Sequence, residues 1–345
     1  LFISFKLLFI FLILIFLKLY IERKKNFFLI ISYIFFSFLI LDLIIPKLPK
    51  TENIFFIESN IEYSINNNYG YYPKKNTVFE EKVFKNQLLI KKVNYTINEY
   101  GHRISLEADE IYNCLLFHGG SITFGQSVND DENLPYYTFK NLSNKFSVYN
   151  FAFNGYGPHQ FLSKIENNYF KELKNCKNLI VIYLYVDDHI GRVVGKRSWG
   201  DKSPRYVLDN KDITQKGFFS DYPFKLQMKL RKNIRNSFSL SKIFNIEKTD
   251  SNDEKLFIEI IEQIEKKVIL KFQKVNFLYL IWDTKINENN LIHKILKNKN
   301  NIEINSLKIP DEYKKNGIQG DNHPTKEFYE ILSKEVINFI NNYSS

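Results

Sequence analysis

A serine between glycines stands at the end of an apolar run, in His118-Gly119-Gly120-Ser121-Ile122-Thr123-Phe124-Gly125. A run of that kind reads as a buried strand feeding a tight turn, with the Ser121 hydroxyl presented at the turn. Two later segments carry complementary chemistry: Asn150-Phe151-Ala152-Phe153-Asn154-Gly155 and Asp321-Asn322-His323-Pro324. A hydroxyl followed by an Asp and a His near the C-terminus has the order of a nucleophile, an orienting acid and a base.

Other chemistries of Ser121 compete. A G-x-S-x-G elbow needs a glycine where Thr123 stands. Residues 120–127 fit a phosphate-binding G-x-x-x-x-G-K-S loop except at Gln126, which replaces the lysine that reaches the phosphates. A purely structural glycine turn is the plain alternative.

The residues must be carried to one place by strands and helices. From residue 111 onward strands alternate with helices, at 111–117, 147–151, 179–186, 275–281 and 301–304. This predicts an α/β fold, a mostly parallel sheet with helices on both faces. Ligands in such sheets bind beyond the carboxyl ends of the strands. The turns at Ser121, Gly155 and Asp187-Asp188-His189 and the loop before the last helix share that edge. A helix is expected at 252–272, capped by Ser251 and Glu254, and another from Pro324 to about residue 340.

Two apolar runs, 1–20 and 27–45, precede this region, with Arg23, Lys24 and Lys25 between them. Each approaches the ~20 residues a bilayer crossing needs. They predict a transmembrane hairpin over 1–46 with its basic turn inside, and all that follows periplasmic or extracellular. Residues 47–110 read as a linker and a small β-rich segment, with strands at 77–84 and 87–96 and no visible chemistry. The segment 190–250 is too long for an ordinary connection. It carries Arg192, Arg197 and a basic helix at about 224–243, and reads as a solvated face, a lid or a membrane-surface contact.

The formal net charge is +10, but no basic element interleaved with aromatics argues for nucleic acid. Cys114 and Cys176 are the two cysteines. They read as buried thiols, with a disulfide open if the domain lies outside the cytoplasm. No metal or other cofactor is expected. His118, Asp187, Asp188, His189 and His323 gather at one edge, yet no regular ligand spacing supports a metal site.

The Gly120-Ser121 turn with Thr123 and Gly125, the Asn154-Gly155 turn and Asp321-x-His323-Pro324 together resemble the SGNH/GDSL hydrolases, over residues 111–345. The resemblance implies a three-layer α/β/α sandwich with a flavodoxin-like sheet, and hydrolysis of acyl esters on an envelope glycan or a lipid. It makes Ser121 the nucleophile, His323 the base and Asp321 its orienting acid, with the backbone N–H groups of Ser121 and Gly155 in the oxyanion hole. The family's third oxyanion donor is an Asn in a G-x-N-D turn, where this chain has Tyr185-Val186-Asp187-Asp188. A protonated Asp187, His189, or the two backbone donors alone could complete the hole, and His189 is the reading preferred. His118, Asn154, His159 and Asp188 are placed at the pocket rim. An O-acyltransferase acting on envelope polysaccharide, or a non-catalytic polysaccharide-binding domain, would suit the same residues.

Overall fold

The computed structural model describes residue 15 and residues 25–44, 55–108, 112–142, 145–197, 200–209, 212–237, 240–241, 244–282, 302–307 and 323–344. The chain divides into two units, Leu1–Glu52 with Lys229–Ile246, and Asn53–Met228 with Glu247–Ser345.

The first unit holds helix α1 (Lys25–Ile44). Among the described residues, no helix is long and apolar enough to cross a membrane. Apart from Ile15, the first apolar run lies outside them.

The second unit is built on strands β1 (Phe55–Ser59), β2 (Tyr63–Asn66), β3 (Gly70–Pro73), β4 (Thr77–Lys85), β5 (Leu88–Ile97), β6 (Arg103–Leu106) and β7 (Asn113–Gly119). The short helix α2 (Ser121–Phe124) follows, then α3 (Leu134–Asn141), β8 (Ser147–Asn150), α4 (Pro158–Glu166), β9 (Asn178–Tyr185) and α5 (Asp188–Val193). The hairpin β10 (Pro204–Asp209) and β11 (Asp212–Phe218) leads to α6 (Phe224–Asn236), which runs into the first unit. Helix α7 (Ser251–Ile269), β12 (Lys274–Trp282), β13 (Ile302–Leu307) and α8 (Lys326–Ser344) complete the chain.

Among the described residues, nine strands form one sheet in the order β1-β4-β5-β6-β8-β7-β9-β12-β13. The strands β8, β7, β9, β12 and β13 are parallel neighbours. Their side chains alternate between two cores, as a period of two requires. Leu179, Val181, Tyr183 and Tyr185 of β9 meet Phe161 of α4 and Phe257 and Ile260 of α7. Ile180, Ile182 and Leu184 meet Leu134 of α3 and Phe328 and Leu332 of α8 on the other face. Burial on both faces explains why these strands read as unbroken apolar runs.

The region read as a linker with a small β-rich segment is part of this sheet. Strand β6 pairs antiparallel with β8, Arg103 opposite Asn150 and Leu106 opposite Val148, and so adds four antiparallel strands to the parallel five. The Asn66-Asn67-Asn68 run is the turn of the β2–β3 hairpin, where Asn68 N–H donates to Asn66 Oδ1 at 2.8 Å. The cap of α7 is one residue earlier than expected. Asp250 accepts from the N–H groups of Asn252 and Asp253, and Asp253 accepts from Asp250 N–H.

Cys114 and Cys176 are joined by a disulfide, not held as two thiols, at a sequence separation of 62 and a Cα–Cα distance of 5.8 Å. Closing a loop of that length restricts the unfolded chain by about 4 kcal/mol in the loop-entropy account. Reduction is therefore expected to lower the urea midpoint of the native protein, with the loss absent from Cys114→Ala/Cys176→Ala, which starts at the lower value.

Candidate active site

Strand β7 delivers its last residue, Gly119, at φ +151, and an added Cβ there would collide with Thr123 and the Leu184 carbonyl. A Cβ on Gly120 would lie 2.5 Å from Arg192 Nη1 and 3.0 Å from His189 Nε2. The two glycines thus let the backbone turn tightly against α5. Ser121 starts the single turn α2, which Gly125 closes in the left-handed conformation.

That turn is clamped from the opposite end by Arg103, which no local sequence pattern marks. Arg103 Nη1 donates to the carbonyls of Phe124 and Gly125, both at 2.7 Å, and Nη2 to Val128 at 2.8 Å. Its Nε pairs with Asp130 at 2.7 Å, and the side chain is 1% exposed. Asn150 Nδ2 donates to the carbonyls of Thr123 and Phe124 at 3.2 and 3.3 Å. Buried Glu81 accepts from Tyr95 Oη and Ser127 Oγ. The antiparallel strands therefore hold the loop that presents Ser121.

A cavity of about 950 Å³ opens at the carboxyl edge of the sheet. Ser121, Asn154, Gly155, Asp188 and His323 all line it, as does Arg192. Three segments far apart in sequence, at 121, 155 and 323, therefore line one cavity. A recess of about 30 Å³ adjoins it, lined by Ser121, His189 and Arg192 among others. That is room for about one water-sized group.

The remaining expected site residues are placed differently. Asp187 is exposed, does not line the cavity, and accepts from Tyr185 Oη at 3.0 Å. Helix α5 starts directly after it, and Asp187 stands outside the lining that holds Asp188. His118 and His159 are core residues and not rim residues. His118 stacks between Phe161 and Tyr183 at 4.0 and 4.5 Å, and His159 is fully buried. Burial pushes the imidazoles of both down to about 3, with the Arg192 charge adding to the effect at His159. Asp321 lies outside the described residues. No group of three or more His, Cys, Asp or Glu among the described residues is arranged to hold a metal ion.

His189 is buried, and its titration is pushed well below the usual imidazole range by burial first, then by Arg192, His118 and His159. Its Nδ1 is 2.6 Å from Tyr183 Oη, while Nε2 has no hydrogen-bond partner among the described residues. If Nδ1 carried the proton, the phenol hydrogen and the Nε2 lone pair would both be orphaned. If Tyr183 donates to Nδ1, only an Nε2–H donor is left over, so we assign that tautomer on the hydrogen-bond count. The spare donor lies beside Gly120.

Arg192 belongs by sequence to the long segment 190–250, where no local pattern marks it for the site. Its Nε pairs with Asp188 at 2.7 Å and its Nη1 donates to the Tyr156 carbonyl at 2.7 Å. Asp188 also pairs with Arg197. The i,i+4 spacing of Asp188 and Arg192 on α5 was readable; their arrival beside Ser121 depends on tertiary packing.

No protein-family model and no curated protein matches the chain. Among solved structures it is similar to the psychrotrophic esterase EstA from Pseudoalteromonas sp., at 9% identity and a TM-score of 0.36, over 67% of this chain and 98% of that one. It is also similar to the acetyl xylan esterase Est2A from the rumen bacterium Butyrivibrio proteoclasticus, at 11% identity and a TM-score of 0.36, over 85% of this chain and 99% of that one.

Proposed function

We propose that the chain is a serine esterase of the SGNH type that cleaves acyl esters through an acyl-serine intermediate. The observation that carries this reading is that Ser121, Gly155 and His323 line one cavity. In the reaction, His323 takes the Ser121 proton as Oγ attacks the acyl carbon. It then protonates the departing alcohol, and afterwards draws a proton from the water that releases the acid. Asp321, two residues before His323, orients the imidazole in this scheme by resemblance to the family.

The developing oxyanion is met by the N–H groups of Ser121 and Gly155. In place of the family's Asn, Arg192 and the spare Nε2–H of His189 supply the further donors. Arg192 is the stronger of the two, because it carries charge and borders both the cavity and the recess. Arg192→Met is expected to lower kcat by about 10²-fold with KM little changed, the usual scale for one oxyanion donor. A larger change in KM than in kcat, in steady-state hydrolysis of an aryl acetate, would remove Arg192 from this role.

The substrate class proposed is an ester on an envelope glycan or lipid, with the domain outside the cytoplasm behind a membrane anchor formed by the two N-terminal apolar runs. The Cys114–Cys176 disulfide favours an oxidising compartment, and the Arg23-Lys24-Lys25 turn favours that orientation. The purified full chain should release acid from simple acyl esters. Acyl transfer to an added glycan exceeding release to water would make it a transferase, and neither reaction from folded protein would leave a binding domain.

A further inference from the structure

We propose that helix α6 is an in-plane contact with an anionic lipid surface. Its outer face lies among the headgroups, with Leu226 and Leu230 at the acyl boundary and Lys225, Lys229 and Lys232 on the lipid phosphates. This rests on the membrane anchor proposed above and adds a second, peripheral element to it.

The segment 222–246 holds Lys225, Lys229, Arg231, Lys232, Arg235 and Lys242 and not one acid. A helix face meant only for water mixes both signs. Six cations without an acid match a surface of negative charge.

The two sides of α6 differ. Met228 is buried, and the Arg205 guanidinium stacks on the Phe224 ring at 4.0 Å, so these residues mark the side that packs on the protein. Leu226 and Leu230, one turn apart, are 56% and 54% exposed. Tyr222, just before the helix, is 81% exposed. Lys225, Lys229 and Lys232 are spaced four and three apart, which sets them in one exposed row along the flank of the leucines. Their stems can lie along the apolar stripe while the ammonium groups stay at the phosphates. A cationic helix with leucines centred on its outer face has the form of an interfacial helix.

Other occupants fit less well. A nucleic-acid backbone offers phosphates but leaves the two leucines in water. A second copy of this chain would set the same cations against each other. A bilayer supplies phosphates directly above an apolar layer. The surroundings agree with it. From Lys229 onward α6 belongs to the same compact unit as α1, and on α1 Ile30, Ile34 and Phe36 are each at least half exposed. Large apolar side chains gathered on a surface in this way mark contact with a partner or a membrane.

The test uses the full-length chain reconstituted in phosphatidylcholine vesicles with and without phosphatidylglycerol. Both native cysteines are joined to each other, so a thiol introduced by Leu230→Cys can carry a nitrobenzoxadiazole label. Flotation reports the anchor, and quenching of the label by spin-labelled lipids reports α6. With phosphatidylglycerol, a headgroup-level spin label should lower the emission about twofold, and more than a mid-chain one does, because such helices insert only ~5–10 Å. A label at exposed Leu270 should stay unquenched. Removing phosphatidylglycerol, or the exchange Lys225→Glu/Lys229→Glu/Lys232→Glu, should abolish most of the quenching. Floating protein whose label at 230 is unquenched, or quenched equally without phosphatidylglycerol, would overturn the lipid contact and leave the anchor standing. Shielding of that label by an RNA oligonucleotide or by unlabelled chain, and not by lipid, would also overturn it. Protein that does not float removes the anchor and the contact together.

Discussion

Ser121→Ala is expected to lower kcat for ester hydrolysis by about 10⁶-fold, the scale seen when the nucleophile of a serine triad is removed. His323→Ala should cost a similar amount, because Oγ is a weak nucleophile until an imidazole accepts its proton. The double variant should be no worse than the poorer single one, since the two groups act as one unit. Both side chains line the cavity and neither is fully buried, so the variants should keep the native melting temperature. Steady-state kinetics on an aryl acetate, beside thermal melts, check all three statements. Additive losses in the double variant would mean that Ser121 and His323 do not work together.

Arg103→Met is expected to destabilise the protein by about 3 kcal/mol, at the lower end of the cost of breaking a buried charge pair. The loss falls mainly on the carbonyls of Phe124, Gly125 and Val128, which all lose the Arg103 guanidinium at once, although Asn150 Nδ2 stays on Phe124. Asp130, with 26% of its side chain exposed, can recover water. Native domains are stable by only about 5–15 kcal/mol, so urea unfolding should register the change plainly. Because the same bonds close α2 behind Ser121, acylation of the folded fraction should also slow. Arg103→Lys should lie between the two, since an ammonium cannot span three carbonyls and a carboxylate in one plane. Unfolding at an unchanged urea midpoint would show that the clamp carries no net stability.

The parts of this site that were readable are those set by local pattern. The turns at Ser121 and Gly155 follow continuous apolar runs, and such runs mark strands buried on both faces. His118 directly precedes the glycines, which suggests a place at the rim. The period-two rule would have put it on the same face as Cys114 and Leu116, where it stacks on Phe161. Asp187 fails for a similar reason, as one residue of helix separates an exposed carboxylate from Asp188 on the cavity wall.

Other features depend on contacts distant in sequence. The alternating pattern of β4 and β5 suits a separate sheet as well as an extension of the main one. The β6–β8 pairing that decides between them joins residues 103 and 150. Arg103 and Arg192 have no local signature, because their roles arise from neighbours brought in by that sheet. The cap of α7 shows the limit at small scale: Asp250 and Ser251 are both competent caps, and spacing alone did not choose between them.

The esterase reading stands or falls with Ser121 as an activated nucleophile. The most direct measurement is treatment of the native full-length protein with a fluorophosphonate, followed by peptide mapping of the adduct. One covalent phosphonyl group is expected on Ser121, formed at a rate that collapses in His323→Ala. Folded protein that stays unlabelled, or is labelled at another serine, would contradict it.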